Sequence, residues 1–92
     1  MLAHNSYFDG KVQSVGFERN GRKQTAGVID TGEFHFGTDA PERMTIVSGE
    51  LAVKLPGRDF RVYAAGTSFE VPGKSGFDVR AEQPVAYLCE FL

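Results

Sequence analysis

Polar and apolar positions alternate along this chain in short runs that glycine and proline repeatedly interrupt. Strand side chains change face at every residue, so alternation over about four to eight residues marks a half-buried strand. The run from Lys11 to Arg19, KVQSVGFER, sets Val12 and Ser14 on one face and Val15 and Phe17 on the other. The change of phase near Val15 and Gly16 predicts a bulge. Asn20-Gly21 follows, a pair that tolerates positive φ at both turn positions and so signals a two-residue hairpin into a return strand from Lys23 to Ile29. Asp30-Thr31-Gly32 reads as a turn, Glu33 to Gly37 as a short strand, and Thr38 to Pro41 as a loop. ERMTIVSG is the next strand, with Ser48-Gly49 expected to close a tight hairpin into ELAVKL and Pro56-Gly57-Arg58-Asp59 to close another. FRVYA, TSFEV, GFDVRAE and VAYLCEFL complete the chain, with turns at Ala65-Gly66 and Pro72-Gly73, while Asn5 to Gly10, NSYFDG, reads as a polar and aromatic lead-in. No segment repeats apolar residues at helical spacing, so about nine short strands and almost no helix are expected. That pattern is all-β, a small antiparallel barrel or sandwich.

One strand carries an anomaly. In ERMTIVSG the alternation puts Glu42 on the same face as Met44 and Ile46, with Arg43, Thr45 and Val47 opposite. An acid on an apolar face loses hydration, so it needs a partner, a ligand or a reaction. Glu42 is therefore the first candidate for chemistry.

Composition narrows the rest. With 92 residues, 41% of them hydrophobic, and a net charge of -2, the chain reads as one soluble domain spanning 1–92. A domain this small leaves apolar surface that a second copy can bury. Lys and Arg are scattered without a basic stripe, which argues against nucleic acid or an anionic membrane as partner. The single cysteine, Cys89, builds no intrachain disulfide and suggests a buried, inert thiol in a reducing compartment. The opening MLAHNSYFDG shows no charged leader followed by an apolar stretch, and no run reaches membrane-spanning length, so the cytoplasm is the expected location. GRKQTAG lacks the order of a phosphate-binding loop, and no nucleoside-triphosphate chemistry is expected from it.

The spacing from Glu42 to Gly49 matches the end of the first cupin signature, and Gly66 to Pro72 matches the start of the second. The histidine positions of those signatures fall on His35, Gly37 and Phe77, so two of four metal ligands remain, fewer than the three protein ligands a divalent ion generally takes. The lead-in Asn5, Tyr7, Phe8, Gly10, Val12, Ser14, the central Glu42, Met44, Thr45, Gly49, the corner Val71, Pro72, Gly73, Ser75, Phe77 and the ending Ala86 to Cys89 together resemble the bacterial pyrimidine/purine nucleoside phosphorylase family of small single-domain cupins. The resemblance spans essentially the whole chain. It implies phosphorolysis of many nucleosides to free base and ribose 1-phosphate, with inorganic phosphate as co-substrate, no metal or other cofactor, and a homodimer.

Such a reaction passes through a transition state with oxocarbenium character at C1′. Glu42 suits the ribose hydroxyls or the developing positive charge. Phe36, Phe77, Tyr7 and Tyr87 are candidates to stack on the base, with Met44, Thr38 and Ser75 as further substrate contacts. Lys11, Arg43 and Lys74, with the Ser75 hydroxyl and its local amides, are candidates for phosphate. Two other readings remain open: a non-catalytic cupin that binds a sugar or nucleoside, and a metal-dependent cupin oxygenase or isomerase using His35 and Glu42.

Overall fold

In the computed structural model, which describes residues 2–92, the alternation resolves into ten strands and, among the described residues, no helix. They are β1 (Ala3–Tyr7), β2 (Val12–Arg19), β3 (Arg22–Ile29), β4 (Gly32–Thr38), β5 (Glu42–Ser48), β6 (Glu50–Lys54), β7 (Phe60–Ala64), β8 (Ser68–Val71), β9 (Ser75–Ala81) and β10 (Val85–Phe91). The lead-in thus contributes a strand of its own, pairing Ala3 to Tyr7 with Gly16 to Val12. Two antiparallel sheets result, one in the order β1-β2-β3-β10-β5-β8 and the other β4-β9-β6-β7.

The Asn20-Gly21 hairpin is present, with both residues in the left-handed region at φ 53 and 73. Pro56 to Asp59 likewise turns β6 into β7, with the Arg58 amide donating to the Leu55 carbonyl. Ser48-Gly49 behaves otherwise. No hairpin forms there: β5 lies in the six-stranded sheet and β6 in the four-stranded one, so Gly49, at φ 86, carries the chain from one layer to the other. A Cβ at Gly49 would lie 3.3 Å from the Pro84 carbonyl, which is why the crossing needs glycine.

The expected bulge at Val15 and Gly16 is also absent. β2 pairs with β3 without a break from Val12 and Ile29 to Arg19 and Arg22. Val15 and Phe17 are apolar because the outer face of this sheet is apolar there, and the phase never changes. The irregularity lies in β5 instead, where Ala86 faces Ser48 and Tyr87 faces Ile46, leaving Val47 over.

Between the sheets lies a core of Val12, Ile29, Met44, Ile46, Leu51, Val53, Val71, Val79 and Val85, with Phe69 and Phe77 stacked edge to face at 5.7 Å. One end of this core is clipped shut by polar contacts. Thr38, buried at the end of β4, donates its hydroxyl to the Pro72 carbonyl at 2.7 Å and accepts the Ser75 amide at 3.0 Å. The Lys74 amide donates to the Asp39 carbonyl, and the Leu92 amide to the Pro41 carbonyl. Gly73 makes this approach possible, since a Cβ there would sit 2.8 Å from the Asp39 oxygen. The loop that delivers the chain to Glu42 is therefore held from both sides.

Thr38→Val keeps the side-chain shape but leaves the Ser75 amide without its acceptor. We expect a loss of about 1–3 kcal/mol in stability, seen as a fall in Tm of about 4–8 °C per kcal/mol in thermal unfolding of a domain this size. An unchanged Tm would show that the clip carries no energy.

Candidate active site

Glu42 opens β5, and the strand's alternation commits it. Met44 and Ile46, two and four residues on, are buried between the sheets, so Glu42 faces inward with them. Its cross-strand neighbours are Phe91 on β10 and Val71 on β8. Apolar walls on both sides strip water from the carboxylate, and burial accordingly raises its pKa above the ordinary 4.5. One polar contact opposes this: the Cys89 thiol donates to Glu42 Oε1 at 3.4 Å. Cys89 itself is pushed well above the usual thiol range, first by burial and then by the adjacent Glu42 charge. It stays a protonated donor.

These groups line a cleft of about 590 Å³ between the two sheets, within the size range of small-molecule sites. From the six-stranded sheet come Tyr7, Ser14, Lys23, Thr25, Glu42, Met44, Tyr87, Cys89 and Phe91; from the β1–β2 connection and the four-stranded sheet come Phe8, Phe36 and Phe77. Phe36 and Phe77 face each other across β4 and β9 with ring centroids 5.5 Å apart. Tyr87 lies over Gly27, where a Cβ would come within 2.6 Å of its ring and hydroxyl. Only a glycine leaves room for that ring. Burial pushes the Tyr87 phenol up to about 12, with the nearby Cys89, Tyr7 and Glu42 adding to the shift and a hydrogen bond with Ser14 opposing it. At neutral pH it too is a donor.

The structure thus gathers Glu42, Tyr7, Phe36, Met44, Phe77 and Tyr87 in one cleft. It does not bring the remaining expected residues there. The Thr38 hydroxyl is spent on Pro72 and Ser75, and Ser75 lies at that same buried clip. Arg43 points to the opposite face of β5, toward Glu70 at 3.4 Å and Glu90 at 3.8 Å. Lys11 follows the turn after β1, and Lys74, at φ 51, sits at the corner before β9; both are exposed and away from the cleft lining. His35 reaches the rim, but its Nδ1 is hydrogen-bonded to Asp78 at 2.8 Å and alternation turns its ring away from Phe36. Among the described residues no three His, Cys, Asp or Glu side chains converge to hold a metal.

Several lining residues are not picked out by the sequence pattern, among them Lys23, Thr25 and Phe8. Lys23 and Thr25 share the parity of Ile29, the buried end of β3, which puts the exposed Lys23 and the half-buried Thr25 on the cleft side of the strand; that parity is the available signal. Phe8 has a left-handed φ of 53, an outlier for an aromatic residue, and its ring packs on Phe34 at 5.0 Å and Phe36 at 5.9 Å. A turn that strains Phe8 to place it at the cleft mouth leaves no periodic trace. Another depression, of about 540 Å³ and lined by Arg58, Arg61, Tyr63 and Glu70 among others, contains none of the expected residues.

Comparison with known proteins gives a consistent result. The family model described as pyrimidine/purine nucleoside phosphorylase matches residues 2–91. A Sorangium cellulosum protein with that same description is 75% identical over the full length of both chains. The crystal structure of a Vibrio parahaemolyticus protein of unknown function superposes with a TM-score of 0.97 at 47% identity, covering 100% of this chain and 99% of that one. A cupin from Shewanella frigidimarina, at 19% identity and a TM-score of 0.78 over 98% of this chain and 82% of that one, shares the fold. The architecture is a cupin barrel.

Because the Glu42 pKa is raised, the folded state retains a proton that the unfolded chain releases. Stability therefore falls as pH rises from 4.5 through the raised value, and the penalty is fully present above it. Glu42→Gln removes the penalty and keeps an oxygen for the Cys89 thiol, so it raises Tm by a few degrees at about pH 7 and changes it little at about pH 4. Thermal unfolding of both proteins across that range checks this, and a Glu42→Gln protein less stable at neutral pH would contradict it.

Proposed function

The chain belongs to the pyrimidine/purine nucleoside phosphorylase family, and from that membership and the cleft we propose that it cleaves the N-glycosidic bond of diverse purine and pyrimidine nucleosides with inorganic phosphate, giving free base and α-D-ribose 1-phosphate. The observation that carries the proposal is a half-buried, partly desolvated carboxylate, Glu42, facing an aromatic cleft of ligand size. As the C–N bond stretches, positive charge grows on C1′ and the ring oxygen. A carboxylate stabilises that charge more strongly where water is scarce, and Glu42 is such a group. Its oxygens also suit the ribose hydroxyls.

Base recognition falls to Phe36 and Phe77, with Tyr7 and Phe8 at the mouth. Every nucleobase presents a π-face, so stacking accepts purines and pyrimidines alike, whereas hydrogen-bond readout would separate them. Met44 lines the cleft beside Glu42, Tyr87 supplies a neutral donor to the sugar, and the Cys89 thiol stays on Glu42. No step requires a metal or organic cofactor. A homodimer is part of this reading: the outer face of the six-stranded sheet exposes Val15, Val28 and Val47 beside Ala26, Ala86 and Leu88, apolar surface for which a small domain finds use in a second copy. The reaction and its substrates suit the cytoplasm.

Incubated with inosine or uridine and phosphate, the protein should release base and ribose 1-phosphate, undiminished by a chelator. Glu42→Gln should lower kcat by at least about 100-fold while remaining folded. Binding of nucleoside without phosphate-dependent release of base would instead mark a binding module, and loss of activity on chelation a metal enzyme. For the dimer, Val28→Glu places a charge in the exposed apolar face and should convert the protein to monomers by light scattering; an unchanged mass would move the interface elsewhere.

A further inference from the structure

We infer that Lys23, with the Thr25 hydroxyl beside it, binds the attacking phosphate. This inference rests on the phosphorylase reading and identifies the residue that receives its second substrate. Lys23 is the one Lys or Arg among the residues lining the cleft. It is exposed at the open end of β3, on the same face of the strand as Thr25, Gly27 and the buried Ile29. Its cross-strand neighbour is Glu18 at the exposed end of β2, yet among the described residues no carboxylate lies within 4.0 Å of its ammonium group, whereas Arg43 and Arg80 are paired. The charge is free for an anion.

The stereochemistry of the reaction agrees with this placement. One oxygen of hydrogen phosphate attacks C1′ from the side opposite the base, forming the C1′–O bond as the C1′–N bond breaks. The bonding pair leaves with the base nitrogen, and the proton of the attacking P–OH finishes on the base. Phosphate and base must therefore sit on opposite sides of the ribose. The cleft has room for that: Phe8, Phe36 and Phe77 come from the β1–β2 turn and the four-stranded sheet, whereas Ser14, Lys23 and Thr25 stand on β2 and β3 of the six-stranded sheet, which also contributes the rings of Tyr7, Tyr87 and Phe91. Lys23 and Glu42 lie on β3 and β5 with β10 between them, two strand spacings or about 10 Å of backbone. A ribose held over β10 can meet the carboxylate on one side and phosphate on the other.

Lys23→Ala should raise KM for phosphate at least about tenfold, the value of one charge-assisted hydrogen bond, with the nucleoside KM changed less than about twofold. Lys23→Arg should recover part of the loss. Lys54→Ala, on β6 outside the cleft, should leave both constants alone. In parallel, phosphorus NMR titration of wild type and Lys23→Ala with inorganic phosphate alone should show binding that the substitution weakens. An active Lys23→Ala enzyme with an unchanged phosphate KM would overturn the inference and leave the phosphorylase reading intact. If the wild type releases no base, that reading fails; loss of phosphate binding in Lys23→Ala would then still establish Lys23 as the anion site, and retained binding would refute it.

Discussion

A carboxylate held against apolar side chains is the constraint on which this molecule turns. Glu42 cannot leave the cleft without pulling Met44 and Ile46 from the core, because one strand carries all three on the same face. The flanking contacts reinforce the commitment: the Thr38 clip and the Leu92 amide fix the loop that leads into β5, and Val71 and Phe91 enclose the acid from either side. Desolvation follows from this packing, and the raised pKa follows from desolvation.

A neutral residue would suit the same apolar walls better; under the proposed reaction that cost is offset where the charge meets a cationic transition state. Around Glu42 the cleft supplies donors that do not compete for charge, since the Cys89 thiol and the Tyr87 phenol are both held protonated by burial. Aromatic rings complete the opposite wall. Phe36 and Phe77 of the four-stranded sheet thus face a wall in which Ser14, Lys23, Thr25 and Glu42 stand beside Tyr87 and Phe91.

Much of this was legible in the chain itself. The all-β class followed from alternation broken by glycine and proline, and Glu42 announced itself as an acid in phase with Met44 and Ile46. What failed shared one cause: local pattern does not report which layer a strand joins. Ser48-Gly49 has hairpin chemistry, yet a change of sheet uses the same glycine. Val15 and Phe17 mimicked a phase slip because the outer face of their sheet is apolar too. Lys23 sits exposed at the end of its strand, where the local pattern does not separate it from an ordinary solvated lysine, and a strained turn such as that of Phe8 has no period. The role imagined for the Thr38 hydroxyl gave way to a backbone clip that only the meeting of β4 with the β8–β9 corner reveals.

The central claim is that burial, not a counter-charge, governs Glu42. It is tested most directly by a carboxyl-carbon NMR titration of the protein, with Glu42→Gln used to assign the resonance. The account expects Glu42 to titrate above 4.5 and to titrate higher still when the Cys89 donor is removed by Cys89→Ala. A midpoint at or below the ordinary carboxylate value would show a solvated or ion-paired acid, and the site described here would not exist in that form.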